Sequence, residues 1–347
     1  MTTAASIPFC DLRRSIEPIR REIDAALADV IDSGWFLRGP QVSAFEAEWA
    51  AYCGQSYCVT CNSGTDALTL AAMAAGLSDV DVQANTLSLT AIGLKRAGCR
   101  VRVGEVDGSG RLAEITANAV PVLLYGRLPT DAEAEATLFD AAHAHGWRPP
   151  PHAIACWSFY PTKTLGGLGD GGAVTTNDEH LAAKMRALSG RDDNFYDDRQ
   201  ITSRIDEMQA AVLRVKLRYL DDWLAARREI AGLYWRHLPG KVAKVSQAST
   251  DLHHLFVIRS DRRDELAQHL HENGVMTKVH FPLPLHSHNA SWANSLQKHP
   301  KADEWCETVL SLPCYPGLSD AEVRRICEVV GNFTTRLNGP PHTKPCG

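Results

Sequence analysis

The stretch Ile154-Ala-Cys-Trp-Ser158-Phe-Tyr-Pro-Thr-Lys163-Thr-Leu-Gly166-Gly-Leu-Gly169-Asp-Gly171-Gly172-Ala-Val-Thr-Thr176 places one lysine between two short apolar runs. The runs at 154–159 and 172–176 are typical of buried strands, and glycines between them let a bulky group approach the backbone closely. A lysine that loses its water at such a place has a lowered pKa and can form Schiff bases. A solvated surface lysine is the alternative, but it does not explain a single lysine in the stretch 154–169, which is otherwise uncharged. A phosphate-binding P-loop is excluded, because the glycines follow the lysine.

Similar short, β-rich runs occur earlier in the chain, at 57–61, 80–84, 100–106, 120–125 and 137–140. Helix-like or turn-rich segments separate them, which is the pattern of an α/β protein with a mostly parallel sheet. Together with the two runs beside Lys163, they predict a seven-stranded sheet flanked by helices. The connections at 107–119 and 126–136 are near the minimum for joining parallel strands, so we expect clipped helices or irregular chain there.

Helical spacing of apolar residues predicts helices at 16–31 and 43–52, and either one long helix or a kinked pair at 206–238. After Pro239-Gly240 the pattern changes to strands at 254–259 and 275–280 and helices at 263–273, 302–310 and 319–331. A chain of 347 residues is also long enough for two domains. We therefore predict a large α/β domain over residues 1–235 and a smaller α+β domain over residues 236–347.

Composition excludes several classes of protein. The formal net charge of −5 argues against nucleic acid or an anionic membrane as the main partner. The N-terminus shows no secretion signal, and the most apolar stretch, 67–77, is too short to span a bilayer, so we expect a cytoplasmic protein.

Ten cysteines are present, and Cys58 and Cys61 form a CxxC. No second pair follows at zinc-ligand spacing, so we expect structural cysteines and no metal site.

The segment Asn62-Ser63-Gly64-Thr65-Asp66 follows one predicted strand and opens a helix. Ser63 with Asp66 forms a capping-box pattern, and a well-capped helix is one reading of it. The other reading is functional, since helix N-termini bind anions. A phosphate would then lie on the backbone N–H groups of Gly64 and Thr65.

The segment Leu138-Phe139-Asp140-Ala-Ala-His143-Ala-His145-Gly146 places an aspartate at the carboxyl end of a strand, where ligands bind in open α/β sheets. A carboxylate at this position can accept a hydrogen bond from a protonated pyridine nitrogen and keep the ring cationic. The alternatives are a helix N-cap, or a metal ligand together with His143 and His145. No fourth ligand for a metal is evident.

With these three segments in place, the chain resembles the nucleotide-sugar aminotransferases of the DegT/DnrJ/StrS type, which are fold-type I enzymes dependent on pyridoxal 5'-phosphate (PLP). The resemblance runs nearly end to end. Besides the segments above, it rests on Ser33-Gly-Trp-Phe-Leu-Arg-Gly39-Pro40, Ala84-Asn-Thr86, Leu124-Tyr-Gly126, Ser203-Arg-Ile-Asp-Glu207, His280-Phe-Pro-Leu-Pro-Leu-His286 and Leu310-Ser-Leu-Pro313.

The resemblance implies roles for individual residues. Lys163 would hold the cofactor as a Schiff base and shuttle the proton, and Asp140 would pair with the pyridinium. His143 would touch the 3-oxygen of the ring. The remaining implied contacts are Gly64, Thr65 and Ser158 to the phosphate, Leu87 and Thr202 to the cofactor in place of an aromatic residue and an asparagine, and Arg204, His280 and His286 to the substrate. Arg204 belongs to a segment that reaches the neighbouring subunit in the family, which implies a homodimer with shared active sites.

The implied reaction moves an amino group from L-glutamate to a nucleotide-linked keto-sugar, for amino-sugar biosynthesis. The loop at 280–286 favours a 3-keto over a 4-keto sugar. A cyclitol-type ketone is an alternative acceptor, and only substrate profiling separates the two. A PLP-binding regulatory protein without turnover is the third alternative. It is suggested by Leu87, Thr202 and the shortened stretches at 107–119, 127–138 and 147–155. Sugar dehydration is disfavoured, because that branch of the family has histidine in place of the lysine.

Overall fold

The computed structural model describes residues 6–191, 197–240, 242–245, 250–292 and 297–336. Residues 1–5 of the predicted signal-free N-terminus and residues 337–347 of the predicted small domain lie outside the described residues. The helices are α1 (Arg13–Ile16), α2 (Arg20–Ser33), α3 (Pro40–Cys53), α4 (Gly64–Ala75), α5 (Ser88–Arg96), α6 (Asp131–Ala134), α7 (Glu179–Arg186), α8 (Glu207–Leu217), α9 (Leu220–His237), α10 (Arg263–Glu272), α11 (Pro300–Thr308) and α12 (Asp320–Arg336). The strands are β1 (Tyr57–Cys61), β2 (Asp79–Gln83), β3 (Arg100–Gly104), β4 (Leu138–Asp140), β5 (Ile154–Ser158), β6 (Gly172–Thr176), β7 (Ala243–Lys244), β8 (Phe256–Arg259) and β9 (Val309–Leu312).

The large sheet consists of two hydrogen-bonded parts joined through the segment 119–122. One part has the order β1-β6-β5-β4, and the other is the pair β2-β3. Isolated parallel bridges, Asp81 to Ala119 and Val122 to Asp140, connect them. The pairs β2-β3 and β4-β5 are parallel, and β6 runs antiparallel to both β5 and β1. The prediction of a mostly parallel sheet flanked by helices is thus confirmed.

One predicted strand is wrong in detail. Residues 120–125 form only isolated bridges, and a 3₁₀ turn, Leu124–Gly126, occupies the end of the run. Pro121 has no N–H to donate to a ladder, and Tyr125 has left-handed backbone angles, φ 68° and ψ 1°. An apolar run signals burial equally well for a strand and for an extended segment, so the sequence pattern does not separate the two.

The short connections are as clipped as predicted. Residues 107–119 contain turns and no regular helix, and the second connection contains only the four-residue helix α6. A capping box closes α6, with the Thr130 side chain accepting from the Glu133 N–H and the Glu133 side chain accepting from the Thr130 N–H. The sheet therefore has less helical cover here than beside α4.

The C-terminal part is an antiparallel sheet, β7-β8-β9, packed with α10 and α12. Two predictions fail here. Residues 275–280 form bridges rather than a strand, and 309–312 is a buried strand, β9, rather than the end of a helix. The apolar core of this part also includes Ile7, Ile230 and Tyr234. The domain boundary at 235/236 stays a prediction.

Within the described residues, no helix is both long enough and apolar enough to cross a membrane. The cytoplasmic location stays a prediction.

The turn before α4 is pressed against the start of β6. A Cβ atom added to Gly172 would lie 2.3 Å from the carbonyl carbon of Ser63, far inside van der Waals contact. The clash involves backbone atoms, which cannot rotate away as a side chain would. Only glycine therefore allows β6 to approach the N-terminus of α4 this closely.

We predict that Gly172→Ala lowers the free energy of unfolding by about 1–3 kcal/mol, the usual cost of overpacking. The measurement is urea unfolding of the cofactor-free protein at a fixed concentration. Gly108→Ala is the matched control, since a Cβ at Gly108 would meet nothing within 4 Å. Equal unfolding midpoints for the two variants would contradict this role of Gly172.

Candidate active site

A cavity of about 280 Å³ opens where β1, β4 and β5 end and where α4 and α5 begin. This is the carboxyl edge of the sheet, where open α/β folds bind ligands. Seven of the residues predicted for the site line it: Gly64, Thr65, Leu87, Asp140, His143, Ser158 and Lys163. Residues far apart in the sequence thus converge on one cavity.

Lys163 follows β5 in a tight turn, in which its backbone N–H donates to the carbonyl oxygen of Tyr160 at 2.8 Å. The next turn is equally close-packed, because a Cβ at Gly166 would lie 2.4 Å from the carbonyl oxygen of Pro161. Burial lowers the pKa of Lys163 to about 8, against an ordinary value of 10.5, and the charge of Asp140 opposes this shift. The lysine amine is therefore neutral, and nucleophilic, at a much lower pH than an exposed lysine would be.

Asp140 is the last residue of β4, and both of its carboxyl oxygens have partners. Thr90 donates its hydroxyl to Oδ2 at 2.7 Å, and the backbone N–H of Ala142 donates to Oδ1 at 3.1 Å. Burial raises the pKa of Asp140, while these two hydrogen bonds and the nearby Lys163 lower it. A buried carboxylate in this position is stabilised further by any cationic group that enters the cavity.

The N-terminus of α4 lies beside Ser158. Ser63 caps the helix by accepting from the Asp66 N–H at 3.1 Å, but the Asp66 carboxylate accepts from the Ser203 hydroxyl at 2.7 Å, so only one half of the predicted capping box is present. A Cβ at Gly64 would lie 2.8 Å from the Cβ of Ser158, which explains glycine at this position. The first N–H groups of a helix have no partner within it, so Gly64 and Thr65 offer donors beside the Ser158 hydroxyl. This is a site for an anion such as phosphate.

Comparison with known proteins agrees with this geometry. The family model of DegT/DnrJ/EryC1/StrS aminotransferases matches residues 17–109 and 133–331. The chain belongs to this family. The unmatched interval overlaps the clipped connections of the sheet.

Individual relatives match nearly the whole chain. A dTDP-3-amino-3,4,6-trideoxy-alpha-D-glucose transaminase from Streptomyces venezuelae is 37% identical, over 96% of this chain and 97% of its own length. The erythromycin biosynthesis sensory transduction protein EryC1 of Saccharopolyspora erythraea is 39% identical, over 90% and 95%. The crystal structure of S. venezuelae DesV in complex with a ketimine intermediate superposes with a TM-score of 0.87 at 35% identity, covering 95% of this chain and 99% of that one.

These findings confirm the predicted fold type I and identify the protein as a PLP-dependent aminotransferase by family. The cavity fits the cofactor chemically. It offers an amine of lowered pKa for the aldehyde, a buried carboxylate for the pyridine nitrogen and a helix N-terminus for the phosphate. The individual residue roles inferred from the resemblance stay predictions.

Leu87 replaces the aromatic residue usual in this family, and it lines the cavity with 38% of its surface exposed. It precedes α5, whose first turn also carries Thr90. The ring of Phe281 lies on the cavity wall as well, 6.4 Å from the ring of His143. Phe281 is thus an aromatic side chain of the site, contributed by the C-terminal half of the chain.

Four predicted residues do not line the cavity: Thr202, Arg204, His280 and His286. His280 makes a 2.8 Å hydrogen bond with the Ser311 hydroxyl, and His286 pairs with Asp303 at 3.0 Å. Thr202 is exposed, and its neighbour Ser203 is buried against the start of α4. None of these four residues therefore lines the cavity within one subunit, and their roles toward cofactor or substrate stay predictions.

Sequence reasoning missed several residues that the structure places at the site, namely Thr86, Thr90, Tyr160, Asp170 and Phe281. Thr90 is the clearest case, because it binds Asp140 directly although 50 positions separate the two residues. No local pattern marks it. Phe281 lies beside His280 in a segment singled out for its histidines, so its location was available from the sequence although its role was not.

We predict that PLP associates with the cofactor-free protein at a rate that rises with pH about a midpoint near 8. Relative to a pKa of 10.5, this gives about 300-fold more neutral amine at neutral pH. In Asp140→Asn the midpoint should move lower, because the negative charge that raises the pKa of Lys163 is lost. Stopped-flow absorbance measures the rate, with Lys163→Ala as the control without a band. A midpoint near 10.5, or an upward shift in Asp140→Asn, would contradict the assignment.

Proposed function

We propose that this protein transfers the amino group of L-glutamate to carbon 3 of a nucleotide-linked keto-sugar, for amino-sugar biosynthesis. The observation that carries the proposal is the shared cavity of Lys163 and Asp140. An amine with a pKa of about 8 and a buried carboxylate lie there beside a helix N-terminus. Bound PLP supplies an electron sink for the carbanion formed when the substrate loses a proton.

Four residues of the cavity have separate roles in the proposed reaction. Lys163 would hold the cofactor through its amine and would take up and return the substrate proton at its Nζ atom. Asp140, kept in place by Thr90 and the Ala142 N–H, holds positive charge on the pyridine nitrogen. Gly64 and Thr65 anchor the phosphate through backbone N–H groups, so the ring is fixed at both ends.

Amination at carbon 3 is supported by the name of the S. venezuelae relative, which makes a 3-amino sugar. The chain also retains the 280–286 loop, and Phe281 places this loop on the cavity wall. A cyclitol ketone remains the alternative acceptor, and comparison of the two substrate classes distinguishes them.

A regulatory PLP-binding protein is the second candidate, favoured by the name of the S. erythraea relative. The geometry of the site favours the enzyme. A protein that only bound PLP would need no buried carboxylate, such as Asp140, to hold positive charge on the ring during a reaction.

The first test is the visible absorption spectrum of the protein with PLP, before and after L-glutamate. We expect the yellow band of the bound cofactor to disappear as one equivalent of 2-oxoglutarate forms, and Lys163→Ala to show no such band. If the band persists with glutamate but disappears with another amino donor, that donor and not glutamate is the substrate. A band that responds to no donor would favour the regulatory candidate.

We further propose that the functional unit is a homodimer with shared active sites. Lys163 is the only lysine or arginine that lines the cavity among the described residues, yet the cofactor phosphate and the substrate diphosphate are both anionic. Arg204 has no acidic partner within the described part of the chain. An arginine supplied by a second copy would balance these charges.

An exposed apolar segment supports the same assembly. Trp35, Phe36 and Leu37 are consecutive and 57%, 48% and 47% exposed, and contiguous exposed apolar surface marks an interaction site. Glu207 holds the segment rigidly. Its carboxylate accepts from the N–H of Gly39 at 2.8 Å, and its own N–H donates to the Phe36 carbonyl oxygen at 2.9 Å.

Complementation between two inactive variants tests the shared site. Lys163→Ala and Arg204→Ala are co-expressed with different tags, and the mixed dimer is purified through both. If Arg204 serves the partner's site, one of the two sites has both wild-type residues, and about half of the wild-type turnover per dimer returns. If Arg204 serves its own subunit, neither site is complete and the mixed dimer stays inactive. If Arg204→Ala alone keeps full activity, Arg204 takes no part in the active site.

A further inference from the structure

His143 is held by a backbone donor rather than by a side chain. The N–H of Tyr125 donates to Nδ1 of His143 at 3.2 Å. This nitrogen is therefore the acceptor of the imidazole, and the neutral ring carries its proton on Nε2. His143 lines the cavity, so the tautomer decides which hydrogen bond the ring can offer to a ligand there.

The donor depends on an uncommon backbone conformation. Tyr125 and Gly126 have positive φ angles of 68° and 87°, and a residue other than glycine rarely adopts this region. The C-terminal half of the chain holds the turn, because the N–H of Leu252 donates to the Gly126 carbonyl oxygen at 2.8 Å and that of Leu255 to the Tyr125 carbonyl oxygen at 3.2 Å. A Cβ at Gly126 would lie 2.8 Å from the backbone nitrogen of His254, so the two segments are in direct contact.

The Tyr125 side chain fixes the same turn from the other end. Its hydroxyl donates to the His280 carbonyl oxygen at 2.7 Å and accepts from the Trp305 indole N–H at 3.1 Å. The ring is fully buried. The Tyr125 N–H is therefore a rigid donor, set in place by residues more than 150 positions away.

His254 packs against His143, with ring centroids 4.4 Å apart and an interplanar angle of 39°. Its Nδ1 lies 3.4 Å from the Thr164 hydroxyl, in the residue after Lys163. His254 thus connects the lysine turn to the histidine of the cavity.

We propose that His254 and the Tyr125 turn are positioning elements for His143, which keep its imidazole neutral with the proton on Nε2, as a hydrogen-bond donor into the cavity. The proposal rests on the proposed function, in which the 3-oxygen of PLP is the acceptor. Two physical effects carry it. Protonation of Nδ1 would set its proton against the Tyr125 N–H, donor against donor. A cationic His143 would also be buried against a second histidine and near Lys163, and both burial and that charge disfavour it.

The charges around the pair act in the same direction. Lys163, His280 and His145 face His143, and Arg227 lies beside His254, where it donates to the His254 carbonyl oxygen at 2.9 Å. Burial first, and then these groups, hold the pKa of His143 and of His254 well below the ordinary range. The charged groups that act most strongly on either histidine are basic, so they favour the neutral form of the pair.

The test is ¹⁵N NMR of histidine-labelled full-length protein with PLP bound, in which the two ring nitrogens report the tautomer and charge of each imidazole. The His143 signals are assigned by their loss in His143→Gln. We expect an unprotonated Nδ1 and a protonated Nε2 in the wild type, with no titration through the ordinary histidine range near about pH 6.5. A protonated Nδ1 in the wild-type protein, or titration of His143 in that range, would by itself overturn the proposal.

Three variants separate positioning from general stability. His254→Ala removes the ring against which His143 packs, and we expect mixed tautomers and titration near the ordinary histidine range. His254→Phe keeps a ring and should retain the wild-type signals. His269→Ala is the control, since His269 packs on Phe333 at 5.6 Å outside the cavity. A His254→Ala spectrum as unchanged as that of His269→Ala, or mixed tautomers in His254→Phe, would show that His254 does not position His143.

The pH dependence of the cofactor's visible band is the second readout, taken without substrate. If the 3-oxygen of PLP loses the hydrogen bond from His143, it binds its proton more tightly, and the pKa of that proton rises. The midpoint pH of the change in the visible band should therefore be higher in His254→Ala than in the wild type or His254→Phe. Identical midpoints in the wild type, His254→Ala and His254→Phe would count against the proposal.

The same NMR measurement on cofactor-free protein separates the positioning of His143 from the proposed function. A protein that binds no PLP refutes the proposed function, whereas a wrong His143 tautomer refutes only the positioning.

Discussion

The close contact between the turn after β1 and the strands on either side of the lysine turn is the constraint on which the site depends. Gly172 lies directly against the backbone of Ser63, and Gly64 lies against Ser158. Without side chains at these two glycines, the N-terminus of α4 reaches the ends of β5 and β6. The same contact brings the phosphate donors to the segment that carries Lys163. One packing requirement therefore creates both the anion site and its distance from the lysine.

Burial then determines the charge of each group in the cavity. It lowers the pKa of Lys163 and of His143 and raises the pKa of Asp140, so burial favours the neutral form of each group. A ligand with a protonated pyridine nitrogen and an anionic phosphate restores charge where partners exist, at Asp140 and at the start of α4. This makes the site complementary to its cofactor as well as large enough for it. Burial also lowers the pKa of both His143 and His254, so it favours the neutral form of this pair.

The departures of this chain from its family lie around the cavity rather than in its chemistry. Leu87 offers an apolar wall in place of a stacked ring, and Phe281 adds an aromatic ring from the C-terminal half. The clipped connections at 107–119 and 126–136 leave that part of the sheet with little helical cover. The lysine and the aspartate have the neighbours that their roles require. A family can vary such surroundings because the reaction itself depends on few groups.

The sequence by itself determined the fold class, the family and the central residues Lys163 and Asp140. Strand-forming runs, a lysine before a glycine cluster and an aspartate at a strand end are local patterns, and local patterns are written in consecutive residues. It did not determine that 120–125 is extended chain ending in a left-handed turn, or that 309–312 is a strand, since an apolar run reports burial and not its partner. Nor did it reveal the hydrogen bond from Thr90 to Asp140 or the one from the Tyr125 N–H to His143. The position of His254, which contacts both the His143 ring and the turn after Lys163, was also not evident from the sequence. Only the tertiary structure decided these contacts, because each joins residues from distant parts of the chain through a geometry that no local spacing encodes.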